Sequence, residues 1–438
     1  MMRLAMANSP KSVTIRSYNV GFGDCFLLSF QYAANSERHV LIDFGSTGLP
    51  PDAPATRMMD IAQDIKTRTK GKLHAVVATH RHKDHISGFE TKKGGTGTGD
   101  VIRSLKPGLV VQPWTEDPDL DPKATGPKSN KKSAKRKLAT MGRDTPKQIA
   151  ALSHMHAIAQ QMLSVRNLPR AIKGELSFLG ETNLANLSAI KNLKDMAKNS
   201  YVFCGKKSGL EGLLPGVKVH VLGPPTVAQT DTITKQRSSD PDEFWQFQAK
   251  AVSSDEHVTD ARQILFPRHV QSQDSRFPIN ARWLIYHSRM TRGEQLLQIV
   301  RMLDQQMNNT SVILIFEVGK KRLLFPGDAQ IENWQFALSQ KKFEPLLKSV
   351  NLYKVGHHGS RNATPKSLWK LFQHRDTRKS PGRLKSLMST MAGKHGHADG
   401  KTEVPRKTLV SALTRESDFF TTQELKRANF FHDTVVTF

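Results

Sequence analysis

Along the first fifty residues the apolar positions fall in short runs separated by glycine and polar turns. Val13 to Asn19, Cys25 to Phe30 and Val40 to Asp43 carry these runs, with turns at Gly21, Gly23 and Gly45, and they predict two or three strands. From Arg57 to Thr69 the spacing becomes helical, with Met58, Ile61 and Ile65 on one face. Leu73 to Ala78 is a continuous apolar run and predicts a buried strand. Val217 to Leu222 opens a second half, followed by a strand at Trp283 to His287 and a helix at Glu294 to Met307. Ser311 to Val318 and Arg322 to Phe325 predict a hairpin around Gly319-Lys320. Beyond it come a helix at Trp334 to Leu347, strands at Leu352 to Val355 and Ser386 to Thr390, and a helix opened by Thr402 to Pro405 and running through Leu413. No internal repeat is evident.

Residues 116–214 interrupt this pattern and read as an insertion in a single domain spanning 12–435. Its first part, 116–145, is a basic loop: Lys123 to Arg143 holds eight Lys or Arg residues and no acid. Its second part, 146–214, carries amphipathic helices near Pro146 to Val165 and Asn183 to Asn199, with Ile149, Leu152 and Ile158 at apolar positions. His154 and His156, two apart on a helix, fall on different faces and read as surface or packing histidines. Residues 226–280 are polar and turn-rich and read as a loop, with Ser253, Asp255, Glu256 and His257 close together.

Charge changes the picture. The 438 residues carry 65 Lys and Arg against 39 acids, a formal +26, and removing the eight charges of the basic run still leaves +18. Such a surplus attracts polyanions, nucleic acid among them, without specifying a substrate. Met1 to Pro10 has no apolar leader core, and no run approaches the ~20 apolar residues of a spanning helix. Cys25 and Cys204 are the only cysteines, which excludes a disulfide framework and fits a reducing, cytoplasmic compartment. Cys25 reads as a small packed hydrophobe.

The densest chemistry is Thr79-His80-Arg81-His82-Lys83-Asp84-His85. Directly after an apolar strand, a period of two puts His80 and His82 on one side. Asp84 and His85 follow on the next turn. The run offers two imidazoles to one metal ion and a carboxylate plus an imidazole to a second, about 3.5–4 Å away in a two-metal hydrolase. Imidazole and carboxylate without thiolate suit two divalent ions, Zn²⁺ best and Mn²⁺ next.

This His-x-His-x-Asp-His spacing resembles the signature of the metallo-β-lactamase superfamily. Val20-Gly21-Phe22-Gly23-Asp24-Cys25 and Val40 to Gly45 are similar to its opening strand pair, Leu323 to Asp328 to the strand ending in its metal-bridging aspartate, and Tyr353-Lys354-Val355-Gly356-His357-His358-Gly359-Ser360 to a later site element. Together with Asn308 to Ser311, these motifs resemble the soluble hydrolase domain of ComEC-type DNA-uptake proteins, with phosphorylcholine esterases as relatives, over roughly residues 12–115 and 215–435.

The resemblance implies a four-layer αββα sandwich and a metal-dependent hydrolase. Asp328 would bridge the metals, Asp84 would bind the second and orient the nucleophile, and His80, His82 and His85 would be ligands. Of His357 and His358 one completes the second metal, preferentially His358, and the other faces the scissile group as donor or general acid. Asp24 and Asp43 read as residues orienting the ligand histidines. Ser360, Lys394 and His397 are candidates for substrate contact. The separate histidine found in many members has no clear match; the region reads Val219-His220-Val221-Leu222-Gly223-Pro224-Pro225, with His220 as a candidate substitute. The substrate expected is a phosphodiester in nucleic acid or a nucleotide-like anion. The alternatives are a small ester, lactone or phosphocholine ester, and a nucleic-acid-binding protein with a structural or degraded metal site. Proteins of this look also occur in bacterial defence gene clusters, which implies a partner protein encoded nearby.

Overall fold

The computed structural model describes residues 9–33, 36–120, 126–127, 187–230, 307–360, 362–394, 403–426 and 429–438. The fold is mixed α/β, with two mixed sheets and helices. The first sheet is built from β1 (Ser12–Tyr18), β2 (Cys25–Ala33), β3 (Ser36–Phe44), β4 (Ala75–Val77), β5 (Leu109–Pro113), β6 (Asn199–Val202) and β13 (Phe431–Thr437), in the order β13-β1-β2-β3-β4-β5-β6. The second comprises β7 (Lys218–Gly223), β8 (Ile313–Val318), β9 (Lys321–Phe325), β10 (Leu352–Lys354), β11 (Lys385–Met388) and β12 (Asp418–Thr421), in the order β12-β11-β10-β9-β8-β7.

Alternation along the strands sorts side chains into three cores. Phe26, Leu28, Val40 and Ile42 of the first sheet meet Leu314, Phe316, Leu323 and Phe325 of the second in a core between the sheets. Leu27, Leu41, Val76 and Val110 face outward, under Ile61 and Ile65 of α1 (Arg57–Arg68), Ile102 of α3 (Thr98–Ser104) and Leu193 of α4 (Leu187–Asp195). On the far side Ile313, Ile315 and Leu324 lie under Trp334 of α5 (Ile331–Ser339), Leu347 of α6 (Glu344–Lys348), Trp369 of α7 (Lys366–Leu371) and Leu413 of α8 (Lys407–Glu416).

Both sheets change direction midway, and this locates the chemistry. β3, β4, β5 and β6 run parallel, as do β9, β10, β11 and β12, while the remaining neighbours are antiparallel. Loops leaving the carboxyl ends of parallel strands form the crevice where such sheets hold ligands. Asp43 lies at the end of β3, His80 to His85 follow β4, Asp328 follows β9, and His357 and His358 follow β10. The short helix α2 (Lys83–Ile86) carries Asp84 and His85.

Several expectations change. Asn199 to Val202, read with the helices of the insertion, forms edge strand β6, paired in parallel with β5. The helix over Trp334 to Leu347 is broken at Gln340, because Pro345 has no N–H for a helix interior and instead sits in the first turn of α6. The helix expected from Thr402 begins at Lys407. His357 and His358 lie past the end of β10, in a single 3-10 turn where both have positive φ, so their divergence is a property of that turn and not of a strand. The helix at Pro146 to Val165, His154, His156, the cluster Ser253 to His257, the strand at Trp283 to His287, His397 and nearly all of the basic run lie outside the described residues, as does the helix at Glu294 to Met307 apart from Met307.

Gly45 shows how tightly the loop after β4 is seated. A Cβ there would meet the Asp84 carbonyl carbon and the His85 nitrogen at 2.5 Å. Gly45→Ala is expected to cost about 1–3 kcal/mol as an overpacked contact, and to lower metal uptake because it pushes Asp84 and His85 out of place. Thermal unfolding and metal titration of the variant check both.

Candidate metal centre

The loop after β4 has its shape because alternate residues have opposite partners. His80 and His82 turn to one side, their ring centroids 4.6 Å apart. Arg81, between them, turns to the other and grips Glu116 with contacts of 2.6–2.9 Å. His82 is the N-cap of α2, after which Asp84 and His85 enter the crevice.

Four side chains converge there. Asp84, His85, Asp328 and His358 are buried, and one ligand atom from each lies within 4.8 Å of all the others. His85 Nε2 is 3.0 Å from Asp328 Oδ2 and 4.0 Å from Asp84 Oδ2; His358 Nε2 is 3.0 Å from Asp84 Oδ2 and 3.6 Å from Asp328 Oδ2. A tetrahedron with bonds of ~2.1 Å has edges of about 3.4 Å, the middle of this range. His85 Nε2 and Asp328 Oδ2 are buried without a hydrogen-bond partner although they face each other, as donor atoms aimed at a common ion do. The group could hold a metal ion.

The opposite sides of the rings are anchored. His85 Nδ1 is 2.8 Å from Asp43 Oδ2, and Asp43 is fixed by the Thr79 N–H and O–H, both at 2.7 Å. His358 Nδ1 faces the Ser389 carbonyl at 3.0 Å, which can only accept, so Nδ1 carries the proton and Nε2 is the free donor atom. A carboxylate or carbonyl behind a ligand imidazole fixes its tautomer and raises its basicity.

His357 faces elsewhere. Its N–H donates to Asp328 Oδ1 at 3.1 Å, and its Nδ1 lies 3.0 Å from Ser360 Oγ and 3.5 Å from the Gln330 amide nitrogen. Since that nitrogen can only donate, Nδ1 acts as acceptor and the proton rests on Nε2. Burial pushes His357 down to about 4 against the pull of Asp328, leaving a neutral ring at pH 7.

His80 and His82 are close to the group but separate from it. His80 Nε2 is 2.9 Å from His82 Nδ1, and His80 Nδ1 is 3.2 Å from Thr79 Oγ1. Among the described residues neither belongs to a set of three ligand atoms. His220 stands on β7 with its Nε2 2.9 Å from Glu317 on β8, partnered away from the crevice. Lys394 lies beside Gly48, where a Cβ would meet its Nζ at 3.1 Å; Gly48 pairs with Phe22, whose ring lies 4.3 Å from that of His358.

Lys354 was not singled out from the sequence, although one lysine in an otherwise buried strand is a legible signal. It is 2% exposed, its ammonium is paired with Asp24, and it lies 3.2 Å from the Gly327 carbonyl and 3.6 Å from Asp328 Oδ1. Burial opposes its charge, but Asp24 and Asp328 outweigh this and hold the ammonium above its ordinary pKa. A second acidic group, Asp24, Asp43 and His85, is thereby accounted for internally, with Lys354 on Asp24 and Thr79 and His85 on Asp43.

Without a metal, protons occupy the group. Burial opposes charge on His85, yet Asp328, Asp43 and Asp84 raise it well above its ordinary value; His358 is raised against burial by Asp328 and Asp84. Burial likewise opposes ionisation of Asp84 and Asp328, and His85 leads the contacts that hold both below the carboxylate range. No family model and no curated protein matches the chain.

Two expectations follow from this geometry. Zn²⁺ or Mn²⁺ uptake should release protons, up to one from each of His85 and His358, and should strengthen as pH rises, because raised pKa values keep these rings protonated above the ordinary histidine range. Calorimetry in buffers of different ionisation heat reads the release, and uptake independent of pH between 6 and 8.5 would contradict it. Separately, Lys354→Met should cost about 3–5 kcal/mol by stranding a buried carboxylate, and adding Asp24→Asn should recover part of the loss in denaturant unfolding.

Proposed function

We propose that the chain is a metal-dependent hydrolase with a helix–sheet–sheet–helix architecture of metallo-β-lactamase type, acting on phosphodiesters in nucleic acid or a nucleotide-like anion. The observation that carries this reading is the convergence of Asp84, His85, Asp328 and His358 from both sheets at the carboxyl ends of parallel strands. Charge supports it. Asp24, Asp43, Asp84 and Asp328 are all buried and Lys354 is the single lysine among them, leaving three negative charges; protons on His85 and His358 offset two of these, and a divalent ion would offset two in their place.

The primary ion would be held by the four-residue group, and a second, more weakly, by His80 and His82 with Asp328. Zn²⁺ fits the donor set best and Mn²⁺ next. Ions held this way supply activation of water and neutralisation of charge on a phosphoryl oxygen. The chain supplies the rest. Asp43 and the Ser389 carbonyl fix the proton of His85 and His358 on Nδ1, keeping Nε2 free to bind. His357, neutral at pH 7 with its proton on Nε2, offers a hydrogen bond to a substrate oxygen rather than a spare proton. Lys394, at the rim beside Gly48, adds a cation for an anionic substrate. The formal +26 favours a polyanion over a neutral ester or lactone.

The test is a substrate panel with Asp84→Ala as matched control: single- and double-stranded DNA, RNA, a bis-aryl phosphodiester, a phosphomonoester and a lactone, each with added Mn²⁺ or Zn²⁺. Metal-dependent cleavage of nucleic acid or phosphodiester is expected, reduced on the order of a hundredfold or more in the variant, which loses a ligand. Turnover of the lactone alone would replace the phosphodiester reading with an ester hydrolase. Tight DNA binding without any turnover sensitive to Asp84 would replace it with a binding protein.

A further inference from the structure

At the opposite, amino-terminal ends of β3 and β4 a concave pocket of about 360 Å³ is lined by Glu37, Arg38, His39, Lys70, Lys72 and His74, together with Ser36 and Thr69. His74 precedes the strand that His80 follows, so roughly 20 Å separates pocket and metal centre at ~3.3 Å per residue.

Its chemistry is set by pairing between β3 and β4. The register Val40 to Ala75 brings His39 alongside His74: the His39 N–H donates to His74 Nδ1 and the His74 N–H to the His39 carbonyl, each at 3.0 Å. Because Nδ1 accepts, a neutral His74 carries its proton on Nε2 and offers it as a donor. Burial, helped by Arg38, His39 and Lys72, lowers His74 to about 4; burial also lowers His39 to about 4, so both rings are neutral at pH 7.

The charges around them are unbalanced. Glu37, the one acid lining the pocket, is taken up by Arg68 through contacts of 2.6 and 2.8 Å. Arg38, Lys70 and Lys72 have no hydrogen-bond or ion-pair partner for their side chains among the described residues. Their backbone is held in place: Thr69 Oγ1 donates to the Ile65 carbonyl at 2.7 Å, the Gly71 N–H to Lys66 at 2.9 Å and the Lys72 N–H to Thr69 at 3.0 Å. Lys70 and Gly71 turn the chain at φ 52° and 75°, which aims the two lysines from one rigid corner.

We propose that this pocket is an anion site for a phosphate group, either inorganic phosphate or the backbone phosphate of a polynucleotide. Three unneutralised cations and an imidazole N–H suit a group with several acceptor oxygens and more than one charge better than a carboxylate. The cavity is large enough for a nucleotide unit around that phosphate. The site is independent of the metal centre, and its failure would leave the hydrolase reading untouched.

The test compares the full chain with a triple variant, Arg38→Gln, Lys70→Ala and Lys72→Ala, whose side chains are all at least partly exposed. Calorimetry with inorganic phosphate is expected to show binding that the variant weakens about tenfold or more, while metal uptake and thermal unfolding stay as in the parent. Phosphate held by the metal centre would bind both proteins equally, and that result overturns the proposal, as does an absence of phosphate binding at millimolar concentration in the parent. A labelled oligonucleotide, competed with phosphate, distinguishes the sources. A parallel loss of oligonucleotide affinity in the variant assigns the site to a polynucleotide backbone, and unchanged oligonucleotide affinity beside lost phosphate binding assigns it to free phosphate.

Discussion

Four buried carboxylates meeting where the two sheets approach each other are the constraint to which the rest of the site responds. Asp43 lies on β3, Asp24 just before β2, Asp84 on the short helix after β4, and Asp328 after β9 of the second sheet. Left unpaired, each would carry a desolvation cost of several kcal/mol. Lys354 meets part of it, through Asp24 and Asp328, and reaches them across the gap between sheets because β10 ends there. Thr79 and His85 meet another part at Asp43. What is left over, on Asp84 and on Asp328 Oδ2, faces the imidazoles of His85 and His358. Protons on His85 and His358 offset this charge, and a metal ion could take their place.

The parts legible in sequence are those encoded locally. His80 to His85 could be read as metal chemistry because a period-two strand exit followed by one helical turn is a six-residue pattern, and the apolar run before it fixed the side that the histidines face. The hairpin of β8 and β9 was equally legible, since Gly319 with φ 55° turns it within two residues. Strands β6 and β13 were not. Asn199 to Val202 has only Val202 fully buried, and Phe431 to Thr437 pairs with the beginning of the chain, a contact no local window contains. Lys354 was missed for a related reason: its partners Asp24 and Asp328 are hundreds and tens of positions away, so nothing nearby says why a charge should sit in a buried strand.

The separation of His80 and His82 from the four-residue group also has a physical basis. The two rings face each other at 2.9 Å, and the histidine of β7 is turned to Glu317 rather than toward them. Burial, with His85 and His82 beside it, keeps His80 well below its ordinary pKa, against the smaller pull of Asp328 and Asp84. Among the described residues, only the group of Asp84, His85, Asp328 and His358 brings four donor atoms together.

The turn at His357 and His358 shows what holds His358 in the four-residue group. Two consecutive non-glycine residues in the left-handed region cost of order 1–3 kcal/mol each, and such residues persist only where surrounding contacts over-determine them. Here those contacts are the Asp328 carboxylate on the His357 N–H, the Ser389 carbonyl on the His358 ring, and turn bonds from Gly359 to Gly356 and from Ser360 to His357. In an extended strand, adjacent rings would have pointed to opposite faces of the sheet and one would have left the crevice. The left-handed turn keeps both near it, their centroids 6.2 Å apart, while giving them different partners. One ring thus joins the group that could hold a metal ion while its neighbour is neutral and differently partnered, a division that the strained backbone creates and that Asp328, touching both, ties together.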